Sequence, residues 1–469
     1  MKLTFRLILS LTAVLSAVEQ ASAQAFTIDP QPREGTLVSR KEGVLGSIVY
    51  TFGNGARAAF IPTTFYNQPV DIRGLKPGGL SLFGETDRHA ACIVDEIVAK
   101  SSLGPYTCDD IQELNNSEGL FFERHIEDYY DSFYARSKPE QVEDILRLIY
   151  LSATQAHTDT VGILKGFEAF SKRIEFSHVF FFQQALNDSA AVMKRNGILR
   201  KALPSETLRA LNADPERFIA VGQRAFELYR QHMDNFCGFT LCIGGAIREE
   251  SLLPLLLKYI ATLPSKQVAD SYCVSESDKF CPTDRSIFIE NDSANINGLR
   301  MMFVQTEDVS YDGANHFLQE AFTKVAQDKL RRLCKGIAEV TFYVSGADFI
   351  LPQSGVQLNV SMSMETDVDP AEMAQDVRKA IRQIADGDFD TAALEAYQQG
   401  IYRGYPQWNS TNAFKIFLLR RYYHDGEVEL DRDVYRTVKA IMPADIQRFA
   451  RNLLEKGHVY LAAMRKNTH

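Results

Sequence analysis

The 469 residues carry 51 lysines and arginines against 60 aspartates and glutamates, a formal net charge of −9, with 45% hydrophobic and 24% charged residues. That balance is ordinary for a globular protein, and nothing in it points to nucleic acid or to an anionic membrane surface. The length suggests two or three domains, each able to bury a core without help from metal or disulfides.

Residues 1–23 read as a signal peptide. Lys2 and Arg6 form a positive start, Leu7 to Val18 an apolar core, and Ala21-Ser22-Ala23 a small-residue cleavage site. The apolar run is shorter than the ~20 residues a spanning helix needs, so cleavage is expected, leaving no membrane span. The mature chain is then expected to start at Gln24 and to be periplasmic or secreted. Seven cysteines in an exported chain leave at least one unpaired. Cys273 and Cys281 bracket a short polar loop and are the pair most readily joined. Cys237 and Cys242 are expected on one strand facing opposite sides, and Cys242 and Cys334 read as buried thiols.

Residues 24–45 are polar without periodicity and read as a linker. Ser47–Phe52 and Ala56–Ile61 flank Gly53-Asn54-Gly55, a hairpin signal. A third extended segment near Val70–Leu75 leads to Pro77-Gly78-Gly79, and Thr86 or Asp87 can cap a helix running to about Lys100. Helices are expected at Lys138–Leu151, Val161–Leu186 and Pro215–His232, then a strand at Phe239–Gly245 and an apolar helix at Glu250–Leu263. The polar run 265–284 reads as a second linker. The theme then repeats. Strands are expected at Leu299–Gln305, Val340–Ser345 and Val356–Met364, the last with Val356, Leu358, Val360, Met362 and Met364 on one face. A long helix spans Ala314–Leu333. Asp369-Pro370-Ala371-Glu372 reads as a capping box opening a helix whose buried stripe is Met373, Val377, Ile381 and Ile384. Further helices end near Leu454, and His458–Met464 is a last strand. The fold class is α+β: two similar units, 46–264 and 285–469, each a mainly antiparallel sheet with helices on one face.

The runs VYTFGNGARAAFIPT, KPGGLSLF and DNFCGFTLCIGGAIREESLLPLLLKYIATLPS, with WNSTNAFKIFLLRRYYHDGE in the second unit, resemble the pitrilysin/insulinase peptidases across about residues 45 to 465. The resemblance implies half-domains of the mitochondrial-processing-peptidase type, paired as one half of a clamshell. Full-length members of that family have four half-domains, and the first holds a zinc motif, H-x-x-E-H. This chain is similar to the third and fourth, the non-catalytic pair.

Water activation by zinc needs three protein ligands, an open position and a carboxylate to take the proton. Neither H-x-x-E-H nor H-E-x-x-H occurs here. On the helix where the family places the motif, the resemblance aligns Cys92, Asp95 and Glu96, and the helix's one histidine is His89. Asp95 and Glu96 are adjacent and so splay about 100° apart on a helix, which reads as a solvated acidic helix end. Glu168 falls near the family's third ligand. The family also holds the substrate carbonyl with an Arg and a Tyr seven residues apart. In LRRLCKGIAEVTFYVS no register gives that pair, and the aligned positions are Cys334 and Thr341.

Other chemistries find little support. His125-Ile126-Glu127-Asp128 reads as a mixed-charge surface. There is no G-x-S-x-G and no P-loop, and Gly53-Asn54-Gly55 lacks the third glycine of a dinucleotide loop. Tyr422-Tyr423 and Phe180-Phe181-Phe182 read as core or interface packing.

Three readings of function remain open. In the first, the chain is the non-catalytic partner of an exported subunit that carries H-x-x-E-H and the zinc, with a peptide as substrate and no cofactor on this chain. In the second, it is a peptide-binding or structural scaffold without a peptidase partner. In the third, it is an active zinc metallopeptidase with a non-standard site.

Overall fold

A computed structural model describes residues 32–116, 120–179, 205–272, 274, 276–291, 296–335, 341–424 and 433–466. The segment read as a signal peptide, Phe180-Phe181-Phe182 and Cys273 lie outside the described residues.

In chain order the first unit contains β1 (Leu37–Glu42), β2 (Ile48–Phe52), β3 (Arg57–Pro62), β4 (Val70–Pro77), α1 (Arg88–Ala99), β5 (Ser102–Leu103), α2 (Cys108–Asn116), β6 (Phe121–Ile126) and β7 (Tyr130–Ser137). Then come α3 (Val142–Thr154), β8 (Ala156–His157), α4 (Thr160–Val179), α5 (Ser205–Asn212), α6 (Pro215–Met233), β9 (Thr240–Gly245) and α7 (Glu249–Tyr259). The second unit contains β10 (Arg285–Asn291), β11 (Asn297–Gln305), α8 (Gly313–Leu333), β12 (Thr341–Phe349) and β13 (Gly355–Met364). It ends with α9 (Pro370–Ala385), α10 (Thr391–Asn409), α11 (Asn412–His424), α12 (Val434–Ala440), α13 (Pro443–Glu455) and β14 (His458–Lys466).

The first sheet has the order β1-β2-β3-β9-β4-β7-β6, and the second β10-β14-β11-β13-β12. All neighbours are antiparallel except β3 with β9 and β10 with β14. The expected α+β architecture of two half-domains is therefore present.

Turn chemistry fixes the first hairpin. Gly55 has φ +81, and the buried Asn54 side chain donates to the carbonyls of Ile260 and Leu263 at 2.8 and 3.1 Å. Gly79, with φ +55, lies so close to the β6–β7 turn that a Cβ would meet the carbonyl oxygen of Glu127 at 2.3 Å. Only glycine fits there.

The alternation in β13 does what period two requires. Val356, Leu358, Val360, Met362 and Met364 are buried and face α8, α9 and α13, with Leu299, Met301 and Phe303 beside them on β11. Each such side chain contributes ~1.5–3 kcal/mol on burial, so a one-residue slip, which would turn all five outward, is strongly disfavoured.

Three expectations need correction. Residues 37–42, read as linker, form β1, which pairs with β2 at the sheet edge; its LVSRKE sequence is mostly exposed and so carries no apolar pattern. Asp369 does not form a capping box; its carboxylate accepts from the N–H of Ala371 at 2.8 Å. Cys237 precedes the strand β9 that holds Cys242, so the two do not share it.

The units meet through α11. Ile416, Leu419 and Tyr423 pack on Ala59, Ile61 and Cys242, the outward side of β3 and β9. That is why β3 reads as continuously apolar: Ala58 and Phe60 enter the first core while Ala59 and Ile61 meet α11. Arg57 donates to the carbonyl of Tyr423 at 2.8 Å, and Thr63 to Asn412 Oδ1 at 2.8 Å. Tyr423 thus packs at the interface, as its aromatic character suggested.

Candidate functional site

Helix α1 forms because apolar residues recur at helical spacing: Ala90, Ile93, Val94, Ile97 and Val98 are buried against the first sheet and α6. Asp87 stands at its N-cap, but its carboxylate takes the Arg224 guanidinium of α6 at 2.9 and 3.2 Å rather than a helix N–H.

The three aligned positions meet two residues on other elements, Arg173 and Ile126. Cys92 is buried, and its carbonyl accepts from Arg173 of α4 at 3.3 Å. Asp95 Oδ1 accepts from the backbone N–H of Ile126, the last residue of β6, at 2.9 Å. Glu96 Oε1 lies 2.7 Å from Arg173 Nε. His89 meets Arg217 at 3.5 Å, and Glu168 is exposed on α4. Among the described residues no three His, Cys, Asp or Glu side chains are placed to hold a metal ion. On α1, Asp95 and Glu96 are each directed to a separate partner, Ile126 and Arg173.

Asp95 is part of a wider device. Strand β6 is a sheet edge, and an open edge offers its backbone to an extended peptide. The side chain of Asn115 on α2 brackets Phe122, donating to its carbonyl at 3.0 Å and accepting its N–H at 2.8 Å. With Asp95 on Ile126, two outward positions of β6 are occupied by side chains. His125 lies beside Glu123 at 3.3 Å on the exposed surface of this strand, as read from its mixed charge.

Cys334 caps the end of α8, where burial pushes its thiol up from the usual range. Thr341 is exposed at the start of β12. The structure instead brings together two residues that no seven-residue spacing could pair. Arg331 on α8 and Tyr343 on β12 line one groove of about 750 Å³ between α8, β12 and α10. Tyr343 is 66% exposed. Sequence spacing carried no signal for this pairing, since one residue ends a helix and the other stands inside a strand. Cys281 is buried, with its Sγ 3.4 Å from Thr283 Oγ1.

No family model and no curated protein matches the sequence. Solved structures do. The periplasmic protease PqqL from Escherichia coli superposes with a TM-score of 0.71 at 13% identity, covering 94% of this chain and 47% of that one. A protein described as an M16-like peptidase, from Alicyclobacillus acidocaldarius, gives 0.63 at 13% identity over 91% of this chain and all of that one. The fold is that of the M16-like peptidases. The first half of PqqL alone also has this fold, at a TM-score of 0.62 and 12% identity, covering 92% of this chain and 94% of that one. The present chain therefore spans about half the length of the M16-like protease PqqL. No helix among the described residues is long and apolar enough to cross a membrane.

Proposed function

We propose that this chain is the non-catalytic half of a pitrilysin-type clamshell, working beside a separate exported subunit that carries H-x-x-E-H and its zinc. One observation carries the reading. On α1 the carboxylates standing in for metal ligands are directed to Ile126 and Arg173, and so hold β6 and α4 in place. The likeness to PqqL, of which this chain covers 47%, lends support to a role as one half of a clamshell.

Its role is to form the second wall of a chamber that excludes water and holds peptide substrate. The groove of Arg331 and Tyr343 provides the surface, with guanidinium and phenol groups that can donate to peptide carbonyls. The same groove also favours a second reading, a peptide-binding scaffold that needs no peptidase partner.

Co-purification from the native exported fraction separates the two. Recovery of an H-x-x-E-H protein, with zinc-dependent peptide cleavage arising only in the complex, is the expected result. A chain that binds peptide and recovers no such protein would establish the scaffold reading.

A further inference from the structure

A second cavity, of about 430 Å³, adjoins the groove and differs from it in chemistry. It is bounded by the start of α8, the end of α10, one face of α11 and the start of α12, and its mainly apolar walls carry Phe317, Tyr405, Trp408, Phe414 and Phe417, with His316, Glu320 and Arg421 beside them. Tyr405 meets Phe414 edge-on at 5.8 Å between ring centroids, and Phe414 stacks on Phe417 at 6.2 Å. The groove beside it is lined by a mixture of charged, amide and hydroxyl groups, among them Lys324, Gln327, Arg331 and Ser345. Glu320, Ile401 and Trp408 line both.

We infer that the aromatic cavity is a specificity pocket, which takes one large apolar side chain, Phe above all, of an extended peptide whose main chain lies in the adjoining groove. This rests on the reading of the chain as a peptide-holding half. The two-part lining decides the occupant. A peptide main chain keeps its polar groups and needs hydrogen-bonding neighbours, whereas a ring is stabilised by transfer into an apolar, aromatic-walled cavity. A purely apolar small molecule would use the cavity and leave the polar groove idle.

The placement also explains why α11 is apolar on two sides. Ile416 and Leu419 face the first sheet, while Phe414 and Phe417 face the cavity. The pocket is thus built on the helix that joins the two half-domains.

Trp408 is the only tryptophan in the chain, so its emission reports on this place alone. The test titrates the purified chain with a blocked seven-residue peptide of Ala, Ser and Thr carrying one central Phe. The same peptide with Ala at the centre is the control, and excitation is at wavelengths only indole absorbs. The inference predicts a saturable change in Trp408 emission and at least about tenfold weaker binding of the Ala peptide. Phe417→Ala, at a position already 41% exposed, should weaken the Phe peptide about tenfold with the fold intact by circular dichroism. Phe417→Leu, which keeps an apolar filling, should lose less. No saturable change, equal affinity for both peptides, or an affinity that survives Phe417→Ala would each overturn the pocket. The measurement uses the isolated chain, so its failure leaves the split clamshell standing. Loss of a co-purifying partner, in turn, leaves the pocket standing.

Discussion

The carboxylate of Asp95 accepts the backbone N–H of Ile126 at 2.9 Å. One residue lies on α1, and the other closes the outer edge of a sheet. The contact shows this part of α1 acting in architecture. Asp95→Ala leaves the Ile126 N–H without its carboxylate acceptor and should destabilise the first half-domain by about 1–2 kcal/mol. Urea midpoints check this. Asp95→Asn, which retains an acceptor oxygen, should lose less, and a zinc chelator should move neither midpoint.

Asn412 seats α11. Its side chain is nearly fully buried, accepting from Thr63 and donating to the carbonyl of Pro69 at 2.9 Å. Asn412→Ala removes both hydrogen bonds from a part-buried interface, a cost of about 1–2 kcal/mol. Faster hydrogen exchange in α11 and in β3 and β9 beneath it is the expected signature.

Acid should act at two places in turn. Burial pushes His424 down to about 3 from its ordinary 6.5, against the opposing effect of its hydrogen bond to the Thr240 carbonyl. The neutral ring is the folded form, so stability present above pH 6.5 is lost as pH falls from there toward 3. Asp348 responds lower. Burial raises its carboxyl, but hydrogen bonds from His316 and Arg421 outweigh that and hold it at about 2, below the ordinary 3.8. Its contribution is present above about pH 4 and lost toward 2. Thermal melting across pH checks both: His424→Gln should flatten the decline between pH 6.5 and 4, and Asp348→Asn the decline below it.

Lys76 is fully buried on β4, 3.0 Å from Asp131 of β7 and 3.3 Å from Asp270. Lys76→Met leaves Asp131 inside the protein without its lysine, beside His232 at 3.4 Å, and should cost about 3–5 kcal/mol. The double change Lys76→Met with Asp131→Leu should recover most of that, as read by denaturant midpoints.

What the sequence disclosed follows from how local each signal is. The hairpin at Asn54-Gly55, the period-two pattern of β13 and the stripe of Met373, Val377, Ile381 and Ile384 are statements about neighbouring residues, and each was legible. Strands β6 and β7 were not foreseen. FFERHI and YDSFYARS alternate, but their outward residues include aromatic and charged groups that blur the pattern. Helix α11 carries apolar residues on both sides, so no single stripe told where it packs.

The same divide runs through the site. Absence of a five-residue motif can be read locally, whereas the partner that Asp95 found stands on another element of the fold. The groove and the aromatic cavity need α8, α10, α11 and β12 assembled before they exist.

The most direct test of the account is zinc content and peptide cleavage, measured together on the purified chain before and after adding an exported H-x-x-E-H subunit. The account predicts neither zinc nor cleavage in the isolated chain and both in the complex. Stoichiometric zinc that survives dialysis, with cleavage by the isolated chain, would contradict it.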